Sequence, residues 1–94
     1  MRTIERASAF KKDFKRVKAS PRHARDIDVM IATIVAMLVV DRPLPESNRD
    51  HALGGDWRGY RDCHVKPDLV LIYRKPDSET LRLARLGSHS ELFG

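Results

Sequence analysis

With 94 residues and a single cysteine, Cys63, the chain suffices for one compact domain, residues 1–94, and cannot form an internal disulfide. An apolar share of 41% and a charged share of 33% exclude disordered and collagen-like classes, and the apolar run Val29 to Val40, broken by Thr33, falls short of the roughly 20 residues that cross a bilayer. The net charge of +5 is concentrated, with eight Lys or Arg against the one acid Asp13 between Arg6 and Arg25; this points to a polyanion, nucleic acid first, although a solvated helix face explains the same charge.

Taken in chain order, Thr3 and Ile4 read as a short edge strand. Phe10, Phe14 and Val17 then recur at i, i+4 and i+7, the apolar stripe of a first helix, with Lys11, Lys12, Lys15, Arg16 and Lys18 around the rest of it. Ser20-Pro21 reads as the stop of that helix and the N-cap and first position of a second, so that the two form a hairpin. The second helix carries Ile27, Met30, Ile31, Ile34, Val35 and Leu38 on its stripe, and from Val29 its other faces are apolar as well, which marks it as the core helix. Pro43 and Pro45 end it, and the segment through Asp50 reads as a loop. Beyond it, Tyr60 to Val65, Leu69 to Arg74 and Thr80 to Leu86 are predicted strands, joined by short turns at Pro67-Asp68 and Lys75 to Ser78. The predicted fold is α+β, two N-terminal helices packed on a small, mainly antiparallel sheet, with a short C-terminal helical turn. Trp57, Tyr60 and Tyr73 are read as core or structural.

His51, His64 and His89 fall near or at the ends of predicted strands, where a rigid sheet presents reactive groups, and imidazole exchanges protons near neutral pH. Asp68 opens a strand beside His64, and Arg85 and His89 bracket Leu86-Gly87-Ser88. RNA is cleaved without metal when one group takes the 2′-hydroxyl proton, a cation steadies the phosphorus and another group protonates the departing 5′-oxygen. These five residues are the right types for that work. Taken singly, each is more often structural: a hydrogen-bonded histidine, a turn aspartate, an arginine bridged to an acid. Zinc on the three histidines and Cys63 is a second functional reading, weakened by the lack of any CxxC or HxxxH pair. A non-catalytic nucleic-acid-binding module or regulator, working through the basic helices alone, is a third.

The run D-H-A-L-G-G-D-W-R-G-Y-R-D-C-H-V-K-P-D-L-V-L-I-Y-R, followed by L-A-R-L-G-S-H-S-E-L-F-G, resembles the YafQ branch of the RelE-like toxins, with a looser likeness in S-A-F-K-K-D-F-K-R. These are toxin halves of bacterial type II toxin-antitoxin pairs. The resemblance implies a ribosome-dependent mRNA endonuclease in the cytoplasm, without cofactor or metal and with no membrane partner. It implies restraint by a cognate antitoxin, acidic and of the ribbon-helix-helix type, through which alone the toxin would meet DNA.

It also implies a catalytic set of His51 in D-H-A-L, His64 in R-D-C-H-V, Asp68 in K-P-D, Arg85 in A-R-L-G and His89 in G-S-H-S, with Phe93 nearby. Leu69 stands where some relatives carry tryptophan. Within this reading His89 is the general acid, Asp68 or His64 the base, and Arg85 the phosphate ligand, while His51 orients or shares protons. Phe93 either stacks on a substrate base or latches the C-terminus. Lys11, Lys12, Lys15 and Arg16 would grip ribosomal RNA phosphates.

Overall fold

A computed structural model describes residues 1–94. The chain runs β1 (Thr3–Arg6), α1 (Ser8–Ala19), α2 (Ile27–Val39), β2 (His51–Ala52), β3 (Arg61–Lys66), β4 (Leu69–Arg74), β5 (Thr80–Gly87) and α3 (His89–Phe93). The strands lie in the order β1-β5-β4-β3-β2, antiparallel throughout except that β1 runs parallel to β5. This is the predicted α+β arrangement, with the C-terminal turn present as α3.

Both helices cover one face of the sheet. Phe10 and Val17 of α1 and Ile27, Ile31, Ile34 and Leu38 of α2 pack on Cys63, Val65, Leu71, Tyr73, Leu81, Leu83 and Leu86. Alternate residues of the same strands form a smaller core on the other face, where Val70, Ile72 and Ala84 meet Leu92 of α3, with Leu53, Trp57, Tyr60 and Phe93 around them. Because both faces are covered, the central strand β4 is buried from Leu69 to Tyr73, which explains its uninterrupted apolar run L-V-L-I-Y. No helix is long and apolar enough to cross a membrane.

Two expectations about α2 are corrected. Ser20-Pro21 does not start it: Ser20 caps the end of α1, residues 21–26 form turns, and regular helix begins at Ile27. The Ser20 carbonyl accepts from both His23 and Ala24, which uses a single helical turn to bury His23 before the chain redirects. Nor is α2 enclosed on every side, since Val29 is 69% exposed. A two-helix layer leaves the outer face of α2 without a neighbour. Within the expected loop, residues 46–48 form a 3-10 turn, and beyond it β2 adds a short strand to the sheet edge.

Two irregularities in strand pairing sit beside residues singled out from sequence. Between β3 and β4 the register skips Val65, next to His64; between β4 and β5 it skips Ala84, next to Arg85. A residue without a cross-strand partner bends its strand and re-aims the side chains beside it.

Candidate active site

Sheet register builds most of the site. His51 lies opposite Asp62, Asp62 opposite Ile72, and Ile72 opposite Arg85, so one lateral row crosses β2, β3, β4 and β5. Laterally paired residues share a face, here the face of the smaller core. His64 is in the next row, opposite Val70, which in turn lies opposite Gly87, where the chain turns into α3. Ile72 and Val70 thus form an apolar floor with ionisable groups at its ends.

Asp62, which sequence reasoning did not single out, is at the centre. It is 2% exposed, and its Oδ1 accepts no aligned hydrogen bond, having only an ion-pair contact with His51 Nδ1 at 3.1 Å. Burial pushes its carboxyl above the usual aspartate value, while the charges of His51, His64 and His89, in that order, pull it back. His51 is in contact with this carboxylate, His64 lies two residues along the same face of β3, and His89 starts the helix that packs on that face. A signal for Asp62 is present in the sequence: in R-D-C-H-V the apolar Cys63 and Val65 alternate with Asp62 and His64, so a strand there puts the acid and the histidine on one face.

His51 is exposed on the edge strand. Its Nδ1 is 2.8 Å from the Arg49 carbonyl and 3.1 Å from Asp62 Oδ1. Because a carbonyl only accepts, Nδ1 carries a proton and donates it to the Arg49 carbonyl. Asp50 secures the approach to this strand by accepting from Arg61 and from the Tyr73 hydroxyl at 2.5 Å. Burial, followed by that hydrogen bond, raises the Tyr73 phenol and keeps it neutral. Burial likewise pushes the Cys63 thiol up to about 12, so it is a core residue without thiolate character.

His89 is the first residue of α3. The Ser88 side chain accepts from the Glu91 amide and the Glu91 side chain accepts from the Ser88 amide, a reciprocal cap that sets the helix start. Leu92, one side of the helix, enters the smaller core, and Phe93 lies one turn from His89, with ring centroids 4.7 Å apart. Phe93 also meets Trp57 edge-on at 6.5 Å. Its ring is half-buried, packed on the smaller core and open on its other side.

The structure does not bring every expected residue into this cluster. Asp68 pairs with Arg22 in the turn between β3 and β4, and Leu69 belongs to the helix-side core, away from the row of Asp62. Arg85 shares the row, but its guanidinium reaches sideways to Asp13 of α1. Lys11, Lys12 and Lys15 are exposed without hydrogen-bond or ion-pair partners, whereas Arg16 is engaged with Asp13, the Leu86 carbonyl and Glu91. No three of the His, Cys, Asp and Glu side chains are placed to hold a metal ion together.

An α+β domain with helices on one sheet face and histidines around a buried carboxylate on the other is the class that fold and site define. Within it, the family described as the bacterial YafQ toxin of type II toxin-antitoxin systems matches residues 2–94, and the chain belongs to that family. It is 39% identical over 93 residues to the mRNA interferase toxin YafQ of Escherichia coli K12, covering 99% of this chain and 97% of that one. The fold superposes on YafQ in the E. coli DinJ–YafQ complex with a TM-score of 0.83 at 40% identity, covering all of both chains. A metal-bound toxin from Helicobacter pylori gives 0.85 at 41% identity, over 99% of this chain and 100% of that one.

Proposed function

We propose that the chain is an mRNA endonuclease that cuts message on the ribosome, without metal, and is held in check by an antitoxin. The observation that carries this reading is that His51 and His64 share one sheet face with the buried Asp62, while His89 begins the helix packed on that face. Likeness to a protein named as an mRNA interferase supports it.

The base takes the proton of a ribose 2′-hydroxyl, and that oxygen bonds to the adjacent phosphorus. The bond from phosphorus to the 5′-oxygen breaks as the general acid supplies its proton, leaving a cyclic phosphate and a free 5′-hydroxyl. Two positioned proton-transfer groups and a cation meet these demands. His89, on the terminal turn, is the acid. His64 is favoured over Asp68 as the base because Asp68 is paired with Arg22. Arg85 binds the phosphate, His51 shares protons with Asp62, and Phe93 offers its open side to a base of the message. Lys11, Lys12 and Lys15 are free to meet ribosomal phosphates, a use in which Arg16 is limited by its existing partners.

The DinJ–YafQ complex supports an antitoxin partner for this chain, and the net charge of +5 suits an acidic one. The test is cleavage of a defined message on purified ribosomes. The wild type should cut, with or without EDTA, and His89→Ala should lower the rate by about 10²-fold or more while remaining folded. Intact message with the wild type would instead favour a non-catalytic binding module, and loss of cutting in EDTA would revive a metal.

A further inference from the structure

Asp13 is the one acid among the eight basic residues from Arg6 to Arg25. It is also on the buried side of α1, 7% exposed. β1 pairs with β5 only as far as Leu83, so beyond that point this edge of β5 has no strand beside it. Two side chains of α1 take over there. Asp13 Oδ2 accepts from the Leu86 amide at 3.0 Å, and Arg16 Nη2 donates to the Leu86 carbonyl at 3.2 Å. Backbone groups that a neighbouring strand would have satisfied are thereby paired.

The same carboxylate grips Arg85. Oδ2 accepts from Nε at 2.6 Å and Oδ1 from Nη2 at 3.3 Å, a two-point contact along the side edge of the guanidinium. Burial works against the Asp13 charge, but the Arg85 hydrogen bond, the Leu86 amide and the charges of Arg85 and Arg16 hold the carboxyl below the usual range. Arg16 shares the carboxylate, with Nη2 3.5 Å from Oδ1, so the negative charge is not spent on Arg85 alone. Nη1 of Arg85 makes no hydrogen bond, and the side chain remains 32% exposed.

We propose that Asp13 is a positioning residue for Arg85: by holding the Nε–Nη2 edge, it presents the outer Nη1–Nη2 edge to the scissile phosphodiester. This rests on reading Arg85 as the phosphate ligand. A guanidinium is a rigid planar fork, so fixing one edge fixes the plane and direction of the other, whereas an unheld arginine would have to be ordered by the substrate itself. Support for the β5 edge requires only an acceptor for the Leu86 amide. The charged, two-point contact goes beyond that requirement.

Asp13→Asn separates the two roles, since it keeps an oxygen for Leu86 and removes the charged grip. Single-turnover cleavage of ribosome-bound message should show kcat lowered about tenfold with KM nearly unchanged. The double variant with Arg85→Gln should be no slower than Arg85→Gln alone. In nitrogen-15 spectra the Arg85 Nε–H should exchange slowly in the wild type and rapidly in Asp13→Asn. Arg85→Lys, which keeps the charge but not the fork, should be as slow as Arg85→Gln, and this comparison stands even if Asp13→Asn folds poorly.

Full activity of Arg85→Gln would overturn the phosphate-ligand reading and this inference with it. A slow Arg85→Gln beside a fully active Asp13→Asn would overturn the inference alone. So would independent, multiplying losses in the double variant, a rapidly exchanging wild-type Nε–H, or a fully active Arg85→Lys.

Discussion

Replacing Asp62 by asparagine should make the protein more stable and less active. Asp62 is almost fully buried, its Oδ1 lacks a hydrogen bond, and burial raises its carboxyl above the ordinary value of 3.8 despite the three histidines. A group whose pKa is higher in the folded chain contributes its full stability below the unfolded value and loses it as the pH rises through the folded value. At neutral pH the wild type therefore carries a cost that the amide escapes. Leaving a buried, charged oxygen without a hydrogen bond costs about 1–3 kcal/mol. The His51 contact offsets part of that cost, leaving about 1 kcal/mol. In a domain of this size that amounts to a rise in Tm of roughly 4–8 °C.

Thermal unfolding followed by circular dichroism reads the difference, which should be present near neutral pH and shrink toward about pH 4. Cleavage on ribosomes should fall in the same variant by about 10²-fold, as expected when a proton-transfer network loses its central charge. If Asp62→Asn is instead less stable than the wild type near neutral pH, with the gap closing in acid, attraction to the histidines outweighs burial and the reasoning fails; a loss equal at both pH values would show that charge is not the cause.

Asp13 should behave in the opposite sense. Its folded pKa lies below the unfolded value of 3.8, so its contribution is present above that value and lost as the pH falls through the folded one. Asp13→Asn should be less stable than the wild type by about 1–2 kcal/mol near neutral pH, with the gap closing in acid; a constant gap in urea titrations would show that charge is not the cause. Ser88→Ala removes the cap of α3, a loss of about 1 kcal/mol. Amide exchange at Leu92, whose N–H donates to the Ser88 carbonyl, should quicken about fivefold, and unchanged exchange would mean that Leu92 packing alone holds the helix.

Local physics is enough for much of the fold. The spacing of Phe10, Phe14 and Val17 follows from helical geometry, and a strand as apolar as Leu69–Tyr73 has to be covered on both faces. The start of α2 departs from expectation because the turn that Ser20-Pro21 opens is not continued: the Ser20 carbonyl accepts from His23 and Ala24, and regular helix begins only at Ile27. Strand β2 is hidden in the sequence because two residues carry no periodicity, and its pairing with β3 depends on the whole sheet.

The same division runs through the site. Residue types and their pattern single out His51, His64 and His89, and the alternation in R-D-C-H-V contains Asp62 for a reader of strand faces. That His51, Asp62 and His64 share one face is a matter of register between strands, and His89 comes to that face through the packing of α3, neither of which a local preference dictates. The partner of Arg85 is further from view, since Asp13 lies 72 positions away on another element. From sequence it is one acid in a basic helix. Only the folded chain, in which β1 ends early and leaves the edge of β5 open, turns it toward the arginine.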